Sequence, residues 1–355
     1  MHALDLLRGG CAIGVAVYHL LNWQSLARLD AIGLYAVYVF FALSGASITF
    51  AYVRKVRTLD DFAAFIALRF VRLAPLYIAV LVVAMAYRFV ARDSEAVVLK
   101  LTALWSNLTM LFGLGNPGST SLVIGGWSLG IEFLFYLLFP VFLLFLRSGA
   151  SSTARMVCLL GGAFAVQVSF VHGVLDLGQA NFPDRVFAYT QFSAFIAYFS
   201  GGCVVGAWLR SGSLREWPVW AWVPALLLFF CLFHDSGQSQ SELLTGWQGG
   251  GRAVLTVLVV AAWSRLPTSG IIRSVAKRLG DASYGLYLLH PVIFYAVTAM
   301  GFASIGRAFL PAREHGFALA IVVIAVSLLV AMLFHHFVEK PLLTRSRARF
   351  TLGAG

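Results

Sequence analysis

Apolar residues dominate long stretches of this chain, and polar ones fall between them at intervals that fit membrane crossings. Runs long enough, or nearly long enough, to span a bilayer occupy about 4–26, 32–53, 70–91, 127–147, 155–172, 187–209, 219–234, 252–266, 282–301 and 316–338. The pattern predicts an all-α, polytopic transmembrane bundle of about ten helices. The runs at 219–234 and 252–266 are short for a full crossing, and the stretch from Trp105 to Leu114 is too short to cross, so it is expected to lie in the interface or dip into it.

Composition agrees with this pattern. Of 355 residues, 60% are hydrophobic and only 12% charged, outside the range of soluble globular domains. The net charge of +11 is scattered between apolar runs and not gathered on a soluble module, which argues against a nucleic-acid partner. Cys11, Cys158, Cys203 and Cys231 all lie in apolar runs without metal-knuckle or disulfide spacing, and read as small buried hydrophobes. Ser25-Leu26-Ala27 loosely resembles a cleavage site, but the preceding segment is not basic and is interrupted by Arg8, His19 and Asn22, so the first helix is expected to stay. No repeat, low-complexity tract or linker divides the chain, and residues 1–355 read as one domain.

With the N-terminus inside, the inner loops carry Arg54, Lys55, Arg57, Arg69, Arg72, Arg147, Arg155, Arg210, Arg215, Arg265, Arg273, Lys277, Arg278, Lys340, Arg345, Arg347 and Arg349. The outer ones carry Arg28, Arg88, Arg92, Lys100, Arg185, Arg252, Arg307 and Arg313, beside Asp30, Asp93, Glu95, Asp176, Asp184, Asp235, Glu242 and Glu314. The positive-inside rule then predicts two cytoplasmic termini.

Ionisable residues at membrane depth are rare and costly, so they are the first functional candidates. The first apolar run holds Arg8 and His19, eleven residues or about 16 Å of helix apart. Glu132, in Trp127-Ser128-Leu129-Gly130-Ile131-Glu132-Phe133-Leu134-Phe135-Tyr136, falls at a depth similar to His19. A carboxylate beside an imidazole can fix its tautomer and support proton transfer, whereas a polar contact between helices is the structural alternative. Arg69 and Arg72, three apart, share a helix face suited to a diphosphate, or anchor a helix end at the membrane surface. Ser44, in Phe40-Phe41-Ala42-Leu43-Ser44-Gly45, lines a channel or allows close packing. Tyr284 and His290 precede Pro291 in another span, where His290 can satisfy polar backbone groups. His335 and Glu339 have metal-ligand spacing but no third ligand at fitting depth, and read as a snorkelling helix end with no metal expected.

Taken in order, Arg8 with His19, the Phe-Phe-x-Leu-Ser-Gly run, Arg69-x-x-Arg72 before Pro75 and Tyr77, Trp127-Ser128-Leu129 with Glu132, Tyr284 to His290, and Glu339-Lys340-Pro341 resemble acyltransferase family 3. The resemblance spans Leu4 to Pro341. It implies a membrane O-acyltransferase of the bacterial inner (cytoplasmic) membrane that moves an acyl group, usually acetyl, from acyl-CoA to a hydroxyl of a cell-surface glycan or glycolipid. It also implies that Arg8 and His19 are required and that Arg69 and Arg72 are associated with the donor. Together with the residue pattern, the expectation is that His19 and Glu132 are catalytic, that Arg8 joins Arg69 and Arg72 at the donor, and that Ser44, Trp127, Ser128, Tyr136, Tyr284 and His290 are possible lining residues. Tyr38 departs from the acidic residue common before the Phe-Phe run, and Leu68 from an arginine often paired with Arg69. The alternative from the residues is a transporter or flippase with Arg8, His19 and Glu132 along its path, although no matching broken helical halves are visible.

Overall fold

In lipid a chain must satisfy its own backbone N–H and C=O groups, and the apolar runs do so as helices. The computed structural model describes residues 2–90, 101–147, 152–175, 187, 189–212, 217–234, 246–301 and 311–350, and these contain no strand. Arg92, Asp93, Glu95, Lys100, Asp176, Asp184, Arg185, Arg215, Asp235, Glu242 and Arg307, used above to read the topology, lie outside the described residues, as does the side chain of Arg88.

The helices are α1 (His2–Trp23), α2 (Asp30–Tyr52), α3 (Leu59–Val90), α4 (Leu101–Leu108), α5 (Trp127–Leu137), α6 (Phe139–Leu146), α7 (Ser152–Leu175), α8 (Ile196–Ser211), α9 (Trp222–Leu232), α10 (Gly246–Trp263), α11 (Gly270–Ala299), α12 (Ala312–Phe334) and α13 (Lys340–Arg349). A single π-helical turn, His335–Glu339, joins the last two.

Every apolar run of the sequence contains helix, but length and apolarity alone assign six crossings among the described residues, not ten: α1, α2, α3, α7, α11 and the continuous segment from α12 into α13. A seventh is the pair α5–α6, bent by 53°. Pro140, near the start of α6, cannot donate the backbone hydrogen bond that would have carried the helix straight through. The run at 187–209 is interrupted, with helical residues at Phe187 and Tyr189, a 3₁₀ turn at Phe192–Ala194 and α8 starting at Ile196, and α9 has just 11 residues.

The centre of the bundle is α2, most of whose length is buried. It runs parallel to α8 at a separation only glycine permits. A Cβ on Gly202 would stand 2.0 Å from the Ala42 carbonyl oxygen, one on Gly45 2.2 Å from that of Phe199, and one on Gly206 2.3 Å from that of Ala46. Between membrane helices, where no hydrophobic force favours association, such backbone proximity is a main source of cohesion. α1 packs antiparallel to α2, Tyr18 filling the space over Gly33, and parallel to α11, with Gly9 against Leu279 and Asp5 against Gly280. The start of α1, the end of α2, the starts of α3 and α11 and the end of α8 therefore share one end of the bundle. That end carries Arg54, Lys55, Arg57, Arg210, Arg273, Lys277 and Arg278.

The Trp105–Leu114 stretch folds back onto α5. Buried Asn107 accepts hydrogen bonds from the Tyr77 hydroxyl at 2.5 Å and the Leu122 backbone N–H at 3.0 Å, and donates to the Ala103 and Thr120 carbonyls. Gly113 lies against Gly130 of α5 closely enough to exclude a side chain at either position. This node fixes where α5 begins.

Substituting Gly202→Val should force α2 and α8 apart and cost at least about 1–3 kcal/mol, visible as a lower Tm in detergent. Gly10→Ala, at an exposed position with no atom within 4 Å of the new Cβ, should leave Tm unchanged or raise it.

Candidate active site

Five helices meet at a cavity of about 170 Å³ near the basic end. Four of them contribute two or more polar groups at helical spacing, so that one face of each turns inward, and α1 adds a single arginine. Arg8 comes from α1, Ser44 and Ser47 from α2, Arg69 and Arg72 from α3, Ser128, Glu132 and Tyr136 from α5, and Tyr284 and Tyr287 from α11. The walls between them are apolar, with Phe40, Phe41 and Ile48 of α2 and Leu73 of α3.

Each charge in this cavity has a partner. Arg8 donates to the Ser47 hydroxyl at 2.7 Å and stands 3.7 Å from Asp5. Arg69 donates to the Tyr52 hydroxyl at 2.9 Å, its guanidinium over the Tyr52 ring. Arg72 forms an ion pair with Glu339, which is buried at the π-helical turn, and His335 contacts the other Glu339 oxygen at 3.1 Å. Oε1 of Glu132 accepts hydrogen bonds from Ser44, at 2.7 Å, and from Tyr136, while Oε2 has no partner among the described residues. The Tyr284 hydroxyl is held by the Leu73 carbonyl at 2.5 Å, and that of Tyr287 by the Gly125 carbonyl at 2.8 Å. Ser128 lies 2.9 Å from the Tyr287 hydroxyl.

Glu339 is thus not the snorkelling helix end expected from sequence. The π-helical turn carries its carboxylate inward to Arg72.

The expected pairing of His19 with Glu132 is also not made. His19 Nδ1 lies 2.9 Å from Nε2 of His290, the two rings stacked at 5.2 Å, and Trp23 stacks on both, 5.0 Å from His19 and 6.1 Å from His290. The pair sits outside the arginine cavity, and the Tyr287 ring touches both, lining the cavity and standing edge-on to His290 at 6.4 Å. Phe40 packs against the same ring. Trp127, expected as a lining residue, instead packs against Tyr189 and Phe195.

The hydrogen bonds fix the tautomers of the histidine pair. His290 Nδ1 is 3.0 Å from the Leu286 carbonyl oxygen, which can only accept, so Nδ1 carries the proton. In the neutral ring Nε2 is then an acceptor. His19 must donate to it through Nδ1–H, which leaves the lone pair of His19 on Nε2. Buried His290, 1% exposed, thereby turns half-buried His19 into an oriented proton acceptor.

Ser47 and Tyr287, one turn beyond Ser44 and Tyr284, complete the lining but were not singled out in the sequence. Their i, i+3 spacing was the available signal.

Comparison with known proteins adds a direct finding. Residues 1–336 match the family model described as "Acyltransferase domain" of acyltransferase family 3. The chain belongs to that family. Its relatives include Acyltransferase MdmB of Streptomyces mycarofaciens, 26% identical over 381 residues that cover 96% of this chain and 90% of that protein. The putative peptidoglycan O-acetyltransferase YrhL of Bacillus subtilis is 27% identical, over 98% of this chain but 56% of its own length. Exopolysaccharide production protein ExoZ of Rhizobium meliloti is 29% identical over 64% of each chain. The chain thus spans somewhat more than half to just under two thirds of the latter two. No solved structure matches it. As an acyltransferase with six or more membrane-length helices, the chain is a multi-pass membrane enzyme, and the transporter or flippase alternative is set aside.

The Arg72–Glu339 pair makes a sharp prediction for this acyltransferase. Arg72→Ala strands a buried carboxylate and should cost about 3–5 kcal/mol, with a matching loss of Tm in detergent. Arg72→Met combined with Glu339→Met should recover most of that loss, and a double variant no more stable than Arg72→Ala would show that the two charges are not coupled.

Proposed function

We propose that this enzyme takes an acyl group, most simply acetyl, from acyl-CoA at the cytoplasmic face of a bacterial inner membrane and places it on a hydroxyl of a cell-surface glycan or glycolipid. The observation that carries the reading is the meeting of Arg8, Arg69 and Arg72 in one cavity, in a chain of this family. Guanidinium groups bind phosphate oxygens bidentately, as the pyrophosphate of a CoA ester requires. Glu339 pairs with Arg72 and Glu132 adds a second carboxylate to the cavity, so the positive charge offered to such a donor is concentrated on Arg69 and on Arg8, which Asp5 touches only loosely. The concentration of basic residues at this end supports its placement at the cytoplasmic surface with both termini inside. The glycan acceptor is supported by the names of two relatives, a putative peptidoglycan O-acetyltransferase and an exopolysaccharide production protein.

Chemistry is assigned to the histidine pair. Arg8 and His19 lie on one helix about 16 Å apart, a gap bridged by an extended thioester arm passing Tyr287 and Phe40. His19 Nε2 removes the proton of the acceptor hydroxyl as its oxygen attacks the thioester carbonyl carbon. The carbon–sulfur bond breaks, and His19 returns the proton to the departing thiolate. Glu132, tied to Ser44 and Tyr136, acts in the cavity, its free Oε2 available to orient substrate amide or hydroxyl groups.

Purified His19→Ala protein should bind acyl-CoA within twofold of wild type by calorimetry yet transfer at least about 100-fold more slowly. Undiminished transfer would remove His19 as the base. Arg8→Ala or Arg69→Ala should weaken donor binding about 10- to 100-fold, each losing charge-assisted hydrogen bonds.

His290→Gln keeps an acceptor near the original Nε2 and should retain most of kcat. His290→Leu should lower kcat with the donor KM unchanged, and equal activity of the two variants would contradict the tautomer assignment.

A further inference from the structure

A second cavity, of about 570 Å³, lies at the same basic end but apart from the one just described and shares no lining residue with it. Four arginines from three segments line it: Arg54 and Arg57 after α2, Arg147 after α6, and Arg210 near the end of α8. The hydroxyls of Ser152 and Thr153, at the start of α7, add donors. No ion pair joins any of the four arginines to a carboxylate among the described residues. The nearby Asp61 carboxylate accepts instead from the backbone N–H groups of Arg57 and Thr58.

Two of the arginines are tied to the loop that follows α2. Arg147 donates to the Val56 carbonyl at 2.7 Å, and Arg57 Nε to the Arg54 carbonyl at 2.9 Å. The guanidinium of Arg210 lies over the Phe50 ring at 5.8 Å. Three of the four cations are therefore held in place around the cavity, each with N–H donors to spare.

Apart from Ser211, the rest of the lining is apolar. Met156 and Trp208 form one wall, Trp208 43% exposed. Beyond them Leu144 and Val157 are 63% and 62% exposed, on the surface that faces the hydrocarbon in a multi-pass protein. A ligand fitted to this place carries negative charge at one end and long apolar chains at the other.

We propose that this cavity is a binding site for an anionic phospholipid, its phosphate held by Arg54, Arg57, Arg147 and Arg210 and its acyl chains lying along Leu144 and Val157. Basic pockets between membrane helices hold phospholipid head groups by this combination of charge and adjoining apolar surface. A free phosphate would use the arginines but not the exposed apolar border.

The full-length protein, delipidated in neutral detergent, provides the test. Cardiolipin or phosphatidylglycerol should be retained in native mass spectra and raise Tm, whereas phosphatidylcholine should not. Inorganic phosphate at tenfold excess should leave both results unchanged. Arg54→Gln with Arg210→Gln, which removes no hydrogen bond to backbone, should weaken cardiolipin binding about 30-fold. Arg147→Gln should weaken it further, and acyl-CoA binding should be unaltered in both variants. Equal retention of phosphatidylcholine, displacement by inorganic phosphate, or undiminished cardiolipin binding by a variant whose Tm without lipid equals that of wild type would each overturn the assignment.

Discussion

Charge held inside a lipid-facing bundle is the constraint from which most of this structure follows. An ionised side chain at membrane depth is tolerated only when hydrogen-bonded, paired or open to water, and the central cavity meets that requirement side chain by side chain. Arg8 has Ser47 and Asp5, Arg69 has Tyr52, Arg72 has Glu339, and Glu132 has Ser44 and Tyr136. These bonds cross between α1 and α2, α2 and α3, α3 and the turn after α12, and α2 and α5. They therefore determine which helix faces which, and the glycine contacts of α2 with α8 then set how closely the helices pack. One polar network both shapes the site and helps specify the bundle.

Much of this arrangement was legible in the sequence, for a physical reason. Arg8, Ser44, Arg69, Arg72, Ser128, Glu132, Tyr136 and Tyr284 stand out against apolar surroundings, and apolar helices expose so few alternatives that such residues must turn toward one another. Depth could be counted along each helix, but rotation about the helix axis could not. Glu132 and His19 were therefore assigned to each other on depth alone, while the fold turns Glu132 toward Ser44 and His19 toward His290. Glu339 was misplaced for a related reason. A carboxylate after a long apolar helix reads as reaching for water, and the π-helical turn that redirects it leaves no mark in the hydrophobic pattern. Apolar length likewise does not reveal the bend before Pro140 or the start of α8 at Ile196, so it does not by itself settle the number of crossings.

The separation of the arginine cavity from the histidine pair bears on the chemistry of this family member. Tyr287 lies against both, hydrogen-bonded to Gly125 and packed by Phe40, so the two compartments meet at an aromatic partition rather than in one open chamber. In the proposed transfer such a partition would keep water around the donor's phosphates away from the thioester, which would favour an alcohol over water as acceptor.

Beyond that partition His19 is held by a neutral imidazole and not by a carboxylate. A carboxylate beside His19 would stabilise the imidazolium and hold the proton there, whereas His290 offers an acceptor without net charge. In the proposed transfer the charge on protonated His19 is balanced by the oxyanion forming beside it, and is lost when the proton passes to the leaving thiolate. Glu132 is left to the cavity, where the arginines provide the opposite charge that its own burial requires.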